Sequence, residues 1–281
     1  MIQQRPVFKY NAAQRSSVTK PFVQHPVSLT FTSRHSVISK ANPTVSSFEI
    51  VPESVSVVLL AGGVGKRMGA NIPKQYLDLR GHPIATYSLR TFSSMPEVGE
   101  IVIVCEPSWR DVFLTALKSI PRSLPIQWAL PGAERQDSVF NGLSMVRESA
   151  AMVAIHDSAR PLITIQDTRR CLLDAAQHGA AVLGVQVKPT IKEVESSNKI
   201  VRRTLQRSSL WEVQTPQCIR PSLLKEGFRI VKEKGLEVTD DVSIIEAMGL
   251  PVKLTPGVYT NIKVTTPEDM FVADKFLEQL S

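Results

Sequence analysis

The stretch at residues 55–79, VSVVLLAGGVGKRMGANIPKQYLDL, decides the fold, because an apolar run breaks into glycines and then into two spaced cations. The apolar run, residues 55–60, is too short for a helix and is apolar on both faces, which predicts a buried strand of a parallel sheet. Gly62, Gly63 and Gly65 follow it, and glycine lets backbone N–H groups close on an anion. We therefore predict a phosphate-binding loop after the first strand.

Two common glycine-loop patterns fit this segment incompletely. A Walker A loop places Ser or Thr after its Gly-Lys pair, whereas Gly65-Lys66 is followed by Arg67. A dinucleotide-binding loop has two residues before its last glycine, and here three residues separate Gly65 from Gly69. Both patterns stay open as alternatives.

The loop carries Arg67 and, seven residues later, Lys74. Gly69, Asn71 and Pro73 lie between them and argue against one continuous helix. Two cations on a bent loop can contact a triphosphate from two sides. Transfer of a group at phosphorus requires that the charge of the triphosphate be offset in this way. The competing interpretation is a pair of solvated surface cations beside a glycine turn.

The positive charge of the chain is concentrated at its N-terminal end. The 281-residue chain has a formal net charge of +7; its first 48 residues hold six Lys or Arg, twelve Ser or Thr and no acidic residue. The remaining chain therefore has 27 basic against 26 acidic residues. A basic, hydroxyl-rich, acid-free leader is typical of a plastid or mitochondrial transit peptide, with an ordinary disordered tail as the alternative. We assign residues 1–52 to the leader and residues 53–281 to one folded domain.

Charge, hydropathy and cysteine content narrow the possible functions. A nearly neutral body argues against a nucleic-acid partner. No run of eighteen apolar residues is present, so we expect no membrane span. Cys105, Cys171 and Cys218 are odd in number and lie in apolar runs, which favours buried thiols over disulfides or a metal site.

Strand-like and helix-like segments alternate after the glycine loop. This alternation predicts an α/β fold with a mostly parallel sheet and helices on both faces. The predicted strands are residues 100–105, 126–130 and 152–155, and the predicted helices are residues 83–92, 107–119, a helix from Arg135 and a helix capped by Thr164 that ends near Gly179. Ligands of such sheets bind at the carboxyl ends of the strands, where the glycine loop, residues 131–135 and residues 156–160 all fall.

The alternation of strands and helices ends at Ala180. From there, successive strands are predicted at residues 181–187, 190–195, 199–206 and 211–219. Residues 188–210 are predicted to project as a β-arm, and an isolated two-stranded hairpin is marginal in water. We therefore expect the arm to pack on a second copy in a homodimer.

The C-terminal part of the chain is predicted to contain three helices and two short strands. The first two helices run from Pro221 to Gly235 and over residues 240–248, the second capped by Thr239, and the strands lie at 252–254 and 261–264. The last helix is opened by a Thr266 capping box, and its predicted buried residues are Met270, Ala273, Leu277 and Leu280.

Eight blocks occur in a fixed order: LLAGGVGKRMG, PKQYL, PGAERQDSV, IHDSARP, TIKEV, LQRSSLWEVQTPQ, TDD and NIKVTTPED. In this set the chain resembles the 2-C-methyl-D-erythritol 4-phosphate cytidylyltransferases of the isoprenoid pathway, over residues 55–280. The resemblance implies a Rossmann-like nucleotidyltransferase fold and a homodimer. With the leader, it implies a plant-type member in the chloroplast stroma.

The resemblance also implies the reaction and the residues that perform it. CTP and 2-C-methyl-D-erythritol 4-phosphate would give 4-diphosphocytidyl-2-C-methyl-D-erythritol and pyrophosphate, with Mg²⁺ as cofactor. Arg67 and Lys74 match the family's transition-state cations, and Arg207 and Lys263 match the pair that positions the sugar phosphate. The remaining matches are Ala61, Gly62, Gly63, Gly132 and Ser138 for CTP, Asp157, Arg160, Thr190 and Thr239 for the other substrate, and Asp157 as a metal ligand, direct or through water.

Two positions depart from the family's bacterial pattern. Those members often read Ala-Ala-Gly where Ala61-Gly62-Gly63 stands, and often carry an acid where Ala133 stands. A backbone contact survives either change, but a side-chain contact at Ala133 does not.

The chemistry of the substrates agrees with the absence of a Ser-His-Asp or Cys-His pattern. A phosphate monoester is largely ionised at neutral pH, so its oxygen attacks without a general base, and the barrier lies in bringing two anions together. His156 is accordingly interpreted as a structural histidine. Three other functions stay open: a cytidylyltransferase for another polyol phosphate such as ribitol 5-phosphate, a nicotinamide-dependent oxidoreductase, and a non-catalytic organellar binding protein.

Overall fold

The computed structural model describes residues 49–63 and 72–280, which lie within one compact unit, Ser46–Ser281. Residues 1–48 of the predicted leader and residues 64–71, which include Arg67, lie outside the described residues. The strands are β1 Val55–Leu60, β2 Asp78–Leu79, β3 His82–Pro83, β4 Val98–Val104, β5 Ile126–Ala129, β6 Met152–Asp157, β7 Ala180–Gln186, β8 Lys192–Val194, β9 Val201–Thr204, β10 Trp211–Ile219 and β11 Lys253–Pro256. The α-helices are α1 Ala85–Ser93, α2 Arg110–Leu117, α3 Arg135–Ser144, α4 Ile165–His178, α5 Pro221–Lys234, α6 Asp241–Glu246 and α7 Pro267–Leu280.

Seven strands form the main sheet in the order β11-β7-β10-β6-β1-β4-β5. Every neighbouring pair is parallel except those of β10, which runs antiparallel to β6 and β7. Strand β1 lies between β4 and β6, so the chain leaves it at the switch point of the sheet, where open α/β sheets bind ligands. The predicted mostly parallel sheet is confirmed.

Helices cover both faces of this sheet, which explains the continuous apolar run of β1. Val57 and Leu59 pack with apolar residues of α1, α2 and α4 on one face. Val58 packs with residues of α3, α5 and α6 on the other face. All three side chains are fully buried, as a central strand of a three-layer fold requires.

A smaller core lies beside the sheet, under α7. Leu79, Ile84, Leu162, Val264 and Ala273 form it, and Met270 and Leu277 are partly buried against it. The predicted buried face of the last helix is confirmed at these positions of α7, while the side chain of Leu280 lies outside the described residues. The Thr266 capping box is also confirmed, since the N–H of Thr266 donates to Asp269 Oδ2 at 2.9 Å and the N–H of Asp269 donates to Thr266 Oγ1 at 3.4 Å.

Two local predictions are wrong. Residues 261–264 form no strand, because the N–H of Val264 donates to Ala159 O at 2.8 Å and the segment follows the loop after β6. Thr239 does not cap α6: the carboxylate of Asp240 accepts from the N–H of Ser243 at 3.0 Å and closes a capping box with that residue.

Two predicted helices begin later than expected. Pro83 belongs to β3, which pairs with β2 in a short hairpin, so α1 begins at Ala85. Pro107 opens a 3-10 helix, Pro107–Trp109, ahead of α2. In both cases proline fixes a turn before the α-helix begins.

The predicted arm is present as an antiparallel pair of β8 and β9. Every residue of β9 is exposed, and the pair forms a sheet separate from the seven-stranded one. No helix within the described part of the chain is long and apolar enough to cross a membrane.

Candidate active site

A cavity of about 320 Å³ opens at the carboxyl end of β1 and β6. Leu60 of β1 pairs with Asp157 of β6, so the glycine loop and the loop after β6 leave the sheet side by side. The cavity brings together seven of the residues that the sequence singles out: Gly62, Gly63, Lys74, Gly132, Ser138, Asp157 and Lys263. Ala61 is buried directly before them in the chain.

The turn before α3 forms one wall and depends on glycine. A Cβ atom on Gly132 would lie 2.1 Å from the Cβ of Asp137, so no other residue fits without a shift of the backbone. The N–H of Gly132 donates to Ser138 Oγ at 2.9 Å, and that hydroxyl donates to Glu134 O at 3.2 Å. Ser138 therefore fixes the Pro131–Gly132 turn as well as lining the cavity.

Asp157 carries the central charge of the cavity. Its Oδ1 accepts from Arg135 Nε at 3.2 Å and its Oδ2 accepts from Lys263 Nζ at 2.6 Å. Burial opposes the charge, but Arg135 and Lys263 outweigh it and hold the pKa of the Asp157 carboxyl well below its usual range. Asp157 is thus an ionised carboxylate shared between two cations.

Two functional candidates were not found from the sequence. Arg135 donates to both oxygens of Asp241, at 2.7 and 2.9 Å, and Asp241 is only 2% exposed. Burial alone would lower the pKa of Arg135, but Asp241 and Asp157 raise it, so the guanidinium stays charged. Arg135 stands inside the PGAERQDSV block and Asp241 is the second acid of TDD, which are the only sequence signals that mark them.

Four of the expected site residues lie away from this cavity. Arg207 lines a second cavity at the base of the arm with Lys188 and Tyr259, and Thr190 is an exposed residue of the arm. Thr239 lines a third cavity with Asp240 and Asp241. Arg160 is buried and donates to Asn261 O at 2.7 Å. Arg67 lies outside the described residues.

His156 is a structural residue beneath the site, as the sequence analysis interprets it. Thr215 Oγ1 accepts from the N–H of Asp157 at 3.1 Å and lies 3.1 Å from His156 Nδ1, to which its hydroxyl donates when that nitrogen carries no proton. Because Arg160 O can only accept, His156 Nε2 carries the ring proton and donates to it at 3.2 Å, which leaves Nδ1 as the acceptor. Complete burial lowers the pKa of His156 to about 3, so the ring is neutral.

This buried histidine gives stability a defined pH dependence. Between its native pKa of about 3 and an unfolded value of about 6.5, only the unfolded chain binds the proton. The free energy of unfolding therefore falls as pH drops below about 6.5, by up to about 1.4 kcal/mol per pH unit from this group. We expect urea unfolding at pH 7.5 and 5.5 to show this loss, and His156→Gln to show a shallower one. Equal pH slopes for both proteins would contradict the assignment.

Carboxylates that could hold a metal are few at this site. Asp157 and Glu134 line the cavity, and among residues 49–63 and 72–280 no three His, Cys, Asp or Glu side chains cluster as a metal site. Mg²⁺ is commonly bound by one or two carboxylates together with substrate phosphates. The donor set therefore fits a metal that arrives on a nucleotide and does not fit a metal held by protein ligands alone.

Comparison with known proteins identifies the family by sequence. The family model described as 2-C-methyl-D-erythritol 4-phosphate cytidylyltransferase matches residues 55–279. A chloroplastic protein of that name from rice (Oryza sativa subsp. japonica) is 54% identical over 245 residues, which cover 87% of this chain and 82% of the rice protein. A protein of that name from Chlamydia pneumoniae is 40% identical and aligns over 79% of this chain and 98% of its own length.

Solved structures agree with this sequence comparison. 2-C-methyl-D-erythritol 4-phosphate cytidylyltransferase from Thermus thermophilus superposes with a TM-score of 0.64 and 29% identity, over 80% of this chain and 99% of the other. A 4-diphosphocytidyl-2C-methyl-D-erythritol synthase from Anaerococcus prevotii has a TM-score of 0.72 at 24% identity, over 80% and 99% of the two chains, and supports the fold. The sheet is thus that of a Rossmann-like nucleotidyltransferase, and the chain belongs to the 2-C-methyl-D-erythritol 4-phosphate cytidylyltransferase family.

Proposed function

We propose that this protein transfers the cytidylyl group of CTP to 2-C-methyl-D-erythritol 4-phosphate in isoprenoid precursor biosynthesis. The products are 4-diphosphocytidyl-2-C-methyl-D-erythritol and pyrophosphate. The observation that carries the proposal is the cavity at the sheet switch point, where Lys74 and Lys263 meet the glycine loop in a chain of this family. The glycine loop with Lys74 suits a triphosphate, and Lys263 beside them suits the second phosphate that has to approach it.

The nucleotide binds where the glycine loop and the turn before α3 meet. Lys74 and Arg67 stabilise the charge that develops on the triphosphate in the transition state. The other CTP contacts are Ala61, Gly62, Gly63, Gly132 and Ser138, of which all but Ala61 line the cavity. With Ala at residue 133, the family's acidic side chain is absent there, so base contacts at that point come from the backbone.

The reaction is a displacement at the α-phosphorus of CTP. An oxygen of the methylerythritol phosphate forms the new P–O bond, the bond to the bridging oxygen of the β-phosphate breaks, and pyrophosphate leaves with that electron pair. No proton has to be removed, because the attacking phosphate is already largely ionised. Lys263 and Arg207 hold that phosphate in position, with Asp157, Arg160, Thr190 and Thr239 as further contacts of this substrate.

Magnesium is proposed as the cofactor and Asp157 as the residue that holds it, directly or through water. Asp157 is ionised and lines the cavity. When bound, Mg²⁺ would neutralise charge on the triphosphate. Arg135 and Lys263 hold both oxygens of Asp157 and so fix the orientation of the carboxylate in the cavity.

The arm is proposed to complete the site of a second copy in a homodimer. Arg207 and Thr190 lie on or beside the arm and do not line the cavity that contains Lys74. Val194, Ile200 and Val201 of the arm are 39%, 60% and 52% exposed, an apolar surface that suits a partner subunit.

The leader is proposed to deliver the protein to the plastid, with the stroma as its final location. The relative from rice is named as chloroplastic, and the leader has the composition of a transit peptide. A protein that starts at Glu53 should therefore keep full specific activity. The test is turnover per folded protein for the truncated and full chains, and a loss of more than about threefold would assign residues before 53 to the catalytic domain.

Pyrophosphate release with CTP tests the proposed reaction. We expect release with methylerythritol phosphate and none above background with ribitol 5-phosphate, which separates the two cytidylyltransferases. NADPH binding would support the oxidoreductase alternative. Absence of pyrophosphate release with either phosphate would leave a non-catalytic binding protein.

A further inference from the structure

Gln75 ties the glycine loop to the turn that carries Lys74. Its side chain is 3% exposed, and its amide nitrogen donates to Ala61 O and to Gly63 O, both at 2.7 Å. Both hydrogens of one amide group are thus used on carbonyls two residues apart. A flipped amide would place its oxygen against both carbonyls, so the network fixes this orientation.

Tyr76 adds a third bond to the same loop. Its hydroxyl donates to Ala61 O at 2.8 Å, so that carbonyl accepts two hydrogen bonds. The ring stacks on Trp109 with centroids 4.1 Å apart and meets Phe113 edge-on. Burial raises the pKa of Tyr76 well above its usual range, so the hydroxyl stays a donor. Tyr76 is therefore a rigid anchor.

These bonds decide where the carbonyl oxygens of the loop point. A carbonyl oxygen turned into the cavity would repel a triphosphate, whereas one held by Gln75 or Tyr76 has its partial negative charge satisfied. Lys74, Gln75 and Tyr76 form one 3-10 helix, and Lys74 and Gln75 both line the cavity. The turn that presents the cation therefore also sets the loop that receives the anion.

We propose that Gln75, supported by Tyr76, is a positioning residue for CTP. The side chain of Gln75 holds Ala61 and Gly63 in the conformation that admits the triphosphate. The proposal rests on the proposed function, in which this loop contacts CTP. It assigns to the PKQYL block a role separate from the charge of Lys74. It also explains how the loop and this block act together although Gln75 follows Gly63 by twelve positions in the chain.

Three substitutions test the role. Gln75→Met keeps the length of the side chain and removes both donors, and Gln75→Glu puts an acceptor against two carbonyls. Tyr76→Phe keeps the stacking on Trp109 and removes one donor. Since a hydrogen bond contributes about two- to tenfold, we expect the KM for CTP to rise about tenfold in Gln75→Met, more in Gln75→Glu, and about threefold in Tyr76→Phe. The KM for methylerythritol phosphate should change less than about threefold.

Direct binding of CTP, measured by calorimetry without the second substrate, should weaken in the same order. A purely structural Gln75 would lower the thermal midpoint and leave the KM for CTP unchanged. If Gln75→Glu does not fold, Gln75→Met and Tyr76→Phe carry the test. CTP affinity within about twofold of the parent for both of these would overturn the proposal.

Gly63→Asp separates this proposal from the proposed function. Among residues 49–63 and 72–280, no atom lies within 4 Å of a Cβ placed on Gly63, so these residues leave space for the side chain, and its charge opposes the triphosphate. We expect CTP affinity to fall more than about tenfold. An unchanged affinity in Gly63→Asp would refute the phosphate role of the loop itself. A loss there with unchanged Gln75 variants would refute the positioning role alone.

Discussion

Replacing Lys74 with alanine should lower turnover by about 10²-fold or more while the protein stays folded. Lys74 lines the cavity beside the glycine loop, and its ammonium group is proposed to stabilise charge that exists fully only in the transition state. Loss of such a group lowers kcat and kcat/KM together. Arg67→Ala is expected to have an effect of the same size. Steady-state pyrophosphate release over a range of CTP concentrations measures both variants.

Lys66→Ala is the matched control for these two variants. It removes a cation from the same block, but Lys66 has no counterpart among the proposed catalytic groups, so its effect should be much smaller. A kcat within about threefold of the parent for Lys74→Ala or Arg67→Ala would remove the proposed mechanism. Similar losses in all three variants would instead indicate a general effect of positive charge on CTP binding.

Periodicity along the chain was sufficient to predict the sheet. A run such as residues 55–60, apolar on both faces, can be buried only between two layers of helices, and Val57 and Val58 do pack on opposite faces. The shared edge of the glycine loop and Asp157 then follows from parallel strands, because their carboxyl ends meet. Local patterns therefore predicted both the architecture and the edge of the sheet at which the cavity lies.

Contacts between distant residues could not be predicted in this way. Arg135 and Asp241 are 106 residues apart, and neither has a local pattern that names the other. The same limit applies to residues 261–264, where alternating apolar residues predict a strand but the backbone bonds to the loop after β6. The bond of the Arg160 guanidinium to Asn261 O, 101 residues away, is likewise marked by no local pattern.

The ion pairs around Asp157 affect the charge of the cavity both before and after a substrate binds. Lys263 and Arg135 together neutralise Asp157 and the charge of Asp241, so the cavity is not strongly positive before CTP binds. The phosphate of methylerythritol phosphate, which Lys263 is proposed to hold, would compete with Asp157 for that ammonium group. Such competition would couple arrival of this substrate to release of a cation at the place where negative charge accumulates.

Mixing Arg207→Ala with Lys74→Ala should restore activity that neither variant has alone. If the arm serves the neighbouring subunit, one site of each heterodimer receives both wild-type groups, and the other receives neither. Random exchange makes about half of the dimers heterodimers, so activity should approach roughly a quarter of the parent value. The measurement is pyrophosphate release after subunit exchange, with exchange itself followed by a size or affinity tag on one variant.

The matched control mixes Lys74→Ala with Lys263→Ala. These two residues line the same cavity of one protomer, so each site of their heterodimer lacks one group and no activity should return. Recovery in the first mixture and none in the second would show that Arg207 acts across the subunit boundary. Demonstrated exchange without recovery in the first mixture would mean that Arg207 reaches the cavity of its own chain. The arm would then have to fold back from the second cavity, where Arg207 now donates to Lys188 O at 2.7 Å.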